Sequence, residues 1–291
     1  MQNNETKCKL FVNFLNIGYN HNMLNLIVAP FNQDRLAQTY AKRIVKYLKS
    51  VKVEYSTYFS QDENMVKENI EELLSIGESE FVVIGNDKIV SEFLNCVNDL
   101  SKIKLGIIPT SEFSDFATYL KLNTNPIKAI KDILTKHIEQ FDVLIANDKR
   151  VINNIVIGAS VEKNIKFDGL ELTLDTKSSK AKTEKIYELV VANAGLNNKK
   201  PISPLANVQD GLFNLTFVTS SDEDSNKINL KNFKNGNYIY LQNVQQYWLN
   251  NLKITSKNKK IKALVDGEVC EFDSLNISII ENGLKIYKKR M

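Results

Sequence analysis

The chain has 291 residues, of which 43% are hydrophobic, and its 38 basic and 34 acidic side chains give a net charge of +4. This composition predicts a soluble globular protein with two domains rather than one. No apolar run approaches the roughly 20 residues of a membrane-spanning helix, no secretory signal is visible, and the mild, dispersed charge argues against nucleic-acid binding. The three cysteines, Cys8, Cys96 and Cys270, are odd in number and widely spaced, which favours a reducing cytoplasm.

The first part of the chain alternates between strand-like and helix-like patterns. Buried strands are predicted at 24–30, 51–59, 81–84 and 104–110, and helices at 35–50, 63–77, after residue 86 and at 126–138. Strands that alternate with helices of this length indicate βαβ units and a mostly parallel sheet. Such sheets bind ligands at the carboxyl ends of their strands, so the turns after Ile84 and Ile108 become the first places to search for a site.

The pattern changes after about Pro126, where one more helix is followed by eight strand-like segments joined by Asn, Gly, Asp and Ser turns. This half predicts an antiparallel sandwich or barrel. The polar segments 176–185 and 220–227 are interpreted as exposed loops. Tyr247 and Trp248 are expected to pack inside the sandwich, with a lipid cleft lined by them as the alternative. The two histidines, His21 and His137, are interpreted as structural or surface residues.

Four segments with acids or glycines follow predicted strands. They are Gly85-Asn86-Asp87-Lys88-Ile89 with Glu92 in the next helix, "PTSEFSDFA" at 109–117, "SPLANVQDGLFNLTF" at 203–217, and "VDGE" at 265–268. In this order the segments resemble motifs of the diacylglycerol kinase catalytic family, bacterial lipid kinases that share their N-terminal architecture with NAD kinases. The family patterns are GGDGT, PxGTxNDFA, PxAxxxDGxL and DGE. The resemblance covers roughly residues 24–287.

The resemblance implies a fold, an activity and a set of ligands. The fold would be α/β plus all-β: a Rossmann-like nucleotide domain over residues 1–125, joined by segment 280–291, and a β-sandwich over residues 126–279. The activity would be transfer of phosphate from Mg-ATP to the hydroxyl of diacylglycerol or a related lipid. Magnesium and ATP are the implied cofactors. Nucleotide and lipid are the implied partners. The resemblance is also compatible with a homodimer and with peripheral contact with the inner membrane surface.

The resemblance also implies roles for individual residues. The implied catalytic residues are Glu268, as the base, with Asp87 and Asp115; the implied nucleotide-binding residues are Gly85, Asn86, Asp87, Lys88, Glu92, Thr110, Ser111 and Asp266; and the implied metal ligands are Asp210 and Asp115. We therefore expect Asp87 and Glu112 to face one interdomain cleft, and a metal or ordered water near Asp210 linked toward Asp115.

Three turns depart from the family patterns, and all three would face the nucleotide. In the first motif, Asn86 and Lys88 replace two glycines and Ile89 replaces Thr. Residues 111–114 replace Gly-Thr-Gly-Asn in the second motif, and residues 29–33 replace Asn-Pro-x-Ser-Gly. Glycine-rich turns offer bare N–H groups to phosphates, which the bulk of Phe113 and Ile89 is expected to hinder. If the Glu112 carboxylate lay about 4 Å from an ATP phosphate, the repulsion between the two negative charges would weaken nucleotide binding by on the order of 4 kcal/mol at an effective dielectric near 20. The positive charge of Lys88 could offset this repulsion by contacting the phosphate.

Each matching residue also has an ordinary structural interpretation. Asp266 and Asp210, each followed by glycine, are typical of turns, Asp115 and Asp87 are typical of helix caps, and Lys88 is typical of a solvated turn. Two functional hypotheses therefore remain open. The chain is either an active or weakly active lipid kinase, or a catalytically silent member of the same family that binds or regulates.

Overall fold

The computed structural model describes residues 23–290, apart from residues 31, 33, 112–113, 163–166, 177–178, 198, 238–240, 242 and 258–259. Expectations at Cys8, His21, Glu112 and Phe113 lie outside the described residues. The strands are β1 Leu24–Val28, β2 Tyr55–Phe59, β3 Glu80–Gly85, β4 Lys104–Pro109, β5 Ile138–Ala146, β6 Lys149–Val151, β7 Asn154–Gly158, β8 Leu170–Thr176, β9 Ser179–Ala192, β10 Leu196–Asn197, β11 Lys200–Pro201, β12 Phe213–Thr219, β13 Val244–Leu249, β14 Asn251–Ser256, β15 Ile261–Val265, β16 Glu268–Phe272 and β17 Ser274–Tyr287. The helices are α1 Arg35–Ser50, α2 Glu63–Ser75, α3 Asp87–Cys96, α4 Asp115–Tyr119, α5 Pro126–Leu134, α6 Ala159–Glu162 and α7 Glu223–Lys234, with a 3-10 turn at Leu100–Lys102.

A parallel sheet in the order β2-β1-β3-β4 forms the first half of the molecule. Because βαβ crossovers are right-handed, the reversal of strand order at β1 places helices on both faces of the sheet. Helix α1 accordingly contacts α5, and α2 contacts α3. The strands β1 and β3 are buried along their whole length, as the apolar runs predicted. The predicted parallel α/β architecture is confirmed.

Antiparallel strands form the second half. One layer has the order β13-β12-β9-β7-β15-β16, and the other has the order β8-β14-β17-β5-β6. Buried side chains such as Leu189, Phe213 and Ile254 fill the space between the layers. The predicted combination of an α/β region with a C-terminal β-sandwich is confirmed.

The long strand β17 connects the two halves. Its pairing runs along β14 and β5, and near its end Ile286 lies opposite Leu105 of β4 in parallel register. Leu284, Ile286 and Tyr287 are buried in the same core as the parallel sheet. The boundaries at 125/126 and 279/280 stay predictions.

Three local expectations were wrong. Segment 176–185, expected to be a loop, belongs largely to β9, whose polar residues pair with β8. Segment 220–227, also expected to be a loop, leads into α7, and Asp222 caps this helix by accepting from Ser225 N. Tyr247 and Trp248 are 41% and 47% exposed rather than packed in the sandwich. Both lie on β13, which pairs only with β12 among the described strands, so this edge strand has less cover than a central one.

Candidate functional site

The turns that follow β1, β3 and β4 meet at the carboxyl edge of the parallel sheet. Gly85 lies opposite Pro109 in register, and Thr110 N donates to Gly85 O at 3.2 Å. The Thr110 hydroxyl donates to the carboxylate of Asp34, which also accepts from Leu36 N and Ala37 N at 3.1 and 3.3 Å. Burial raises the pKa of Asp34. The three turns are therefore joined by hydrogen bonds.

Asp87 links the first motif to the second. Its carboxylate accepts from the Ser114 hydroxyl and from Phe116 N, the latter at 3.2 Å. Burial raises the pKa of Asp87, and these hydrogen bonds oppose that rise. Neither Asp87 nor Asp115 caps its own helix, because Asn86 caps α3 and Ser114 caps α4.

The N–H groups at the three helix starts already have side-chain acceptors. Asp34 accepts at α1, Asn86 accepts from Ile89 N at 3.2 Å at α3, and Asp87 and Ser114 accept at α4. A phosphate that entered these turns would have to displace such acceptors. Ile89 itself is fully buried in the core, so the expectation that it would crowd a phosphate is wrong.

The second wall of the site is the turn between β15 and β16. Asp266 and Gly267 have φ of +46° and +88°, the left-handed conformations that a tight hairpin requires. The Asp266 carboxylate accepts from Ile152 N, Asn153 N and Asn154 N at 2.9, 2.9 and 3.2 Å, and from Ser91 Oγ of α3 at 3.4 Å.

Burial and the nearby carboxylate of Asp87 raise the pKa of Asp266 to about 6, against the effect of its N–H donors. Asp266 is thus both a hairpin-turn residue and a neighbour of the first motif. Its assignment to nucleotide binding stays a prediction.

Lys88 lies between two acids. Its Nζ is 3.6 Å from Glu92 Oε1 and 3.4 Å from Glu268 Oε1, and Lys149 Nζ is 3.9 Å from Glu268 Oε2. Glu268 is 47% exposed at its side chain. Exposed ion pairs of this kind contribute less than about 1 kcal/mol to the free energy of unfolding. These contacts therefore determine how charge is distributed at the site and contribute little to the stability of the fold. The lysine that replaces a family glycine therefore contacts the implied base.

The remaining acids are Asp115, the first residue of α4, and Asp210. Asp115 lies beside Asp87, because its charge helps to raise the pKa of Asp87 while its backbone N–H lowers it. Asp115 Oδ1 accepts from Lys199 N at 2.6 Å, while Asp210 is exposed and accepts from Leu212 N of its own turn at 3.0 Å. Asp210 is close enough to Tyr119 of α4 to help burial raise the pKa of that tyrosine.

The described residues include no group of three or more His, Cys, Asp or Glu side chains that could hold a metal ion. The metal roles of Asp115 and Asp210, and a link between the two, stay predictions. Ser111 accepts from Ser114 N through its backbone oxygen at 3.2 Å, and its nucleotide role also stays a prediction.

One structurally important residue was missed from sequence. The Arg150 guanidinium donates to Leu94 O and Asn98 O, both at 3.0 Å, and Arg150 N donates to Asn95 Oδ1 at 2.8 Å. The sandwich therefore holds the last turn of α3, and Asp266 contacts an earlier turn through Ser91. No motif points to Arg150, because its function depends on a contact across more than fifty residues.

Two family models match the chain over nearly all the residues that form this cleft. The diacylglycerol kinase catalytic domain matches residues 23–146, and the YegS C-terminal NAD kinase beta sandwich-like domain matches residues 153–287. None of the described helices is both long and apolar enough to cross a bilayer. The doubly wound sheet and the C-terminal sandwich together form the fold shared by diacylglycerol kinases and NAD kinases. Residues 23–146 therefore belong to the diacylglycerol kinase catalytic-domain family, and residues 153–287 to the YegS C-terminal beta sandwich-like family.

Named relatives and solved structures are similar to this chain at different levels. A protein named "putative lipid kinase" from Staphylococcus haemolyticus is 39% identical over 28% of this chain and 26% of its own length, and one from Staphylococcus epidermidis is 25% identical over 84% and 81%. A diacylglycerol kinase structure from Bacillus anthracis superposes with a TM-score of 0.75 at 18% identity, covering 92% of this chain and 97% of that one. An NAD kinase from Archaeoglobus fulgidus, solved in complex with ATP, superposes with a TM-score of 0.58 at 14% identity, covering 92% and 94%.

Proposed function

We propose that this chain transfers the γ-phosphate of Mg-ATP to the hydroxyl of diacylglycerol or a related lipid, and that weak nucleotide binding limits its rate. The observation that carries the proposal is that Asp87, Asp266 and Glu268 lie close together where the parallel sheet meets the sandwich. Asp87 and Asp266 interact electrostatically, and Glu268 contacts Lys88, the residue after Asp87. Family membership and the names of the relatives support the same reaction class.

Glu268 is the proposed base. Its carboxylate is partly exposed at the mouth of the hairpin, so a hydroxyl could reach it. Glu268 accepts the hydroxyl proton as that oxygen attacks the γ-phosphorus and ADP leaves. Lys88 lies between the base and the first motif, where an ammonium group can offset phosphate charge.

The test measures transfer of radiolabelled phosphate from Mg-ATP to mixed lipid acceptors. Glu268→Gln should lower transfer at least about 100-fold, because a positioned general base contributes on the order of 10² to 10⁴ in rate. Calorimetric titration with Mg-ATP should give the same affinity as the unmodified protein. Glu271→Gln is the matched control, because Glu271 lies on the same strand and is exposed. Equal loss in both variants would remove Glu268 from the mechanism.

A second variant tests the weak nucleotide binding. This variant combines Lys88→Gly with Ser111→Gly, Glu112→Thr and Phe113→Gly, and so restores family residues in two motif turns. Ile89 is kept because it is buried and its replacement would damage the core. The restored protein should bind Mg-ATP more tightly, because backbone N–H groups become accessible to phosphate. Unchanged affinity would show that these turns do not limit binding.

The second candidate function is that of a catalytically silent binding or regulatory protein. Occupation of helix-start N–H groups by Asp34 and Asn86 favours it, because these side chains accept hydrogen bonds that a phosphate would otherwise accept. A silent protein gives no calorimetric response to millimolar Mg-ATP and transfers no label to any lipid. Any label transfer that depends on Glu268 excludes it.

A further inference from the structure

The helices on the two faces of the parallel sheet differ sharply in charge. Helix α1 contains five lysines and arginines and no acid, and its neighbour α5 contains two lysines and one aspartate. On the other face, α2 contains four glutamates and one lysine. The N-terminal region is therefore polarised across the sheet, although the net charge of the whole chain is only +4.

The cations of α1 form a continuous stripe. Lys42, Lys46 and Lys49 are all exposed and follow one another at intervals of four and three residues, which places them on one side of a helix. The buried stripe of α1, which includes Ala41 and Ile44, faces the sheet instead. The helix has 16 residues, and the stripe from Lys42 to Lys49 covers about 10 Å of its length.

Helix α5 widens this stripe into a face. Lys131 of α5 lies over the ring of Tyr47 of α1 at 5.4 Å, which ties the two helices together, and Lys128 and Lys131 are both exposed. We call Lys42, Arg43, Lys46, Lys49, Lys128 and Lys131 the α1–α5 face. Within the part of the chain that the structure describes, no acid forms an ion pair with Lys42, Lys46, Lys49 or Lys128.

The positive surface continues past α5. Lys121 and Lys289 border a pocket of about 100 Å³ whose walls include Leu120, Leu122 and Tyr287. Apolar side chains beside a band of lysines match an interface where anionic head groups lie next to hydrocarbon.

We propose that the α1–α5 face binds the surface of an anionic phospholipid bilayer. The choice of a bilayer over a nucleic acid rests on the proposed lipid kinase function, because the acceptor lipid lies in a membrane. The charge complementarity stands independently. Each lysine near an anionic bilayer strengthens binding about 5-fold, equivalent to about 1 kcal/mol. Helix α1 begins at the candidate site through Asp34, so docking through this face would bring the edge of the site close to the membrane.

The experiment is sedimentation of the full chain with vesicles, without nucleotide or diacylglycerol, so that the result is independent of kinase activity. Vesicles of equal parts phosphatidylcholine and phosphatidylglycerol are compared with vesicles of phosphatidylcholine alone. The triple variant Lys42→Gln, Lys46→Gln, Lys49→Gln removes the stripe, and glutamine preserves helix propensity. The control triple variant is Lys231→Gln, Lys253→Gln, Lys257→Gln, which removes the same charge from exposed positions of the other half.

The unmodified protein should bind the anionic vesicles and not the neutral ones. The stripe variant should bind them about 100-fold more weakly, the control triple should change binding little, and molar salt should weaken binding because the Debye length falls to about 3 Å. Absence of binding to anionic vesicles, or equal loss in both triple variants, would overturn the proposal. Tighter binding to duplex DNA than to vesicles, lost with the same stripe, would replace the bilayer with a nucleic acid.

Discussion

The two walls of the cleft have departed from the family patterns to different extents. On the parallel-sheet side, every glycine of the first two motifs except Gly85 is replaced, and side-chain carboxylates and amides accept from the helix-start N–H groups. On the sandwich side, Asp266-Gly267-Glu268 matches the family motif in full. The motifs alone therefore indicate that the hairpin has kept its catalytic residues, whereas the turns have lost their phosphate-binding residues.

The structure gives a different reason for the intact hairpin. Asp266 accepts three backbone N–H groups and a serine hydroxyl, so its removal would damage the fold whether or not the protein is an enzyme. Glu268, two residues later, has only exposed ion pairs. A motif acid that also holds the fold is therefore weaker evidence for catalysis than one that does not. Asp266 holds the fold, whereas Glu268 makes exposed ion pairs.

The largest expected effect is that of Asp266→Ala. Three buried N–H groups would lose their acceptor, so the free energy of unfolding should fall by about 4 kcal/mol in urea denaturation. Asp210→Ala is the control, because Asp210 is exposed and accepts only from its own turn, and should cost about 0.5 kcal/mol. Equal stability of the two variants would break the contrast between the walls, since Asp266 would then have no structural role.

A second test concerns Glu188, a buried acid outside the cleft. Burial raises its pKa from 4.5 to about 7, and its carboxylate accepts from Ser160 N at 3.0 Å. The folded protein therefore keeps this proton to higher pH than the unfolded chain. The associated stability is complete below about pH 4.5 and is lost as pH rises through 7.

Glu188→Gln removes this titration. Relative to the unmodified protein, the variant should gain on the order of 2 kcal/mol of unfolding free energy between pH 5 and pH 8. Urea denaturation at both pH values measures the change, and other titrating groups cancel in the difference. A pH-independent difference would mean that Glu188 ionises at an ordinary pH, and that raised acid pKa values are confined to the cleft.

A smaller effect is expected for Arg150→Ala. Its guanidinium bonds to Leu94 O and Asn98 O hold the end of α3 to the sandwich, so the loss should cost about 1 kcal/mol and speed amide exchange in that turn. Lys149→Ala is the control on the same strand. Unchanged exchange in the Arg150 variant would show that α3 belongs to the parallel-sheet wall alone.

The smallest expected effect on stability is that of Glu268→Gln. Because its ion pairs with Lys88 and Lys149 are exposed, the free energy of unfolding should change by less than about 0.5 kcal/mol. Thermal unfolding of this variant beside Glu271→Gln measures the difference. A large loss of stability would assign Glu268 a structural role and erase its distinction from Asp266.

The sequence by itself determined the layout of this protein. Alternating apolar strands and amphipathic helices predicted the parallel sheet, and helix α1 occupies the residues 35–50 that its periodicity indicated. These predictions succeed because 3.6-residue and 2-residue periodicities are local properties. Motif order identified the family, and the turn residues Asp266 and Gly267 indicated their hairpin.

Only the tertiary structure decided what the site residues contact. From the sequence alone, the apolar residue Ile89 could face either a phosphate or the core. In the structure it is buried in the core of the parallel-sheet region. The exposure of Trp248 follows from the edge position of its strand, and the long β9 replaces a predicted loop because β8 pairs with its polar half. Lys88 meets Glu268, and Asp266 meets Ile152 to Asn154, across more than a hundred residues. Such contacts depend on which strands become neighbours, and strand pairing is set by the free energy of the whole fold rather than by any local pattern.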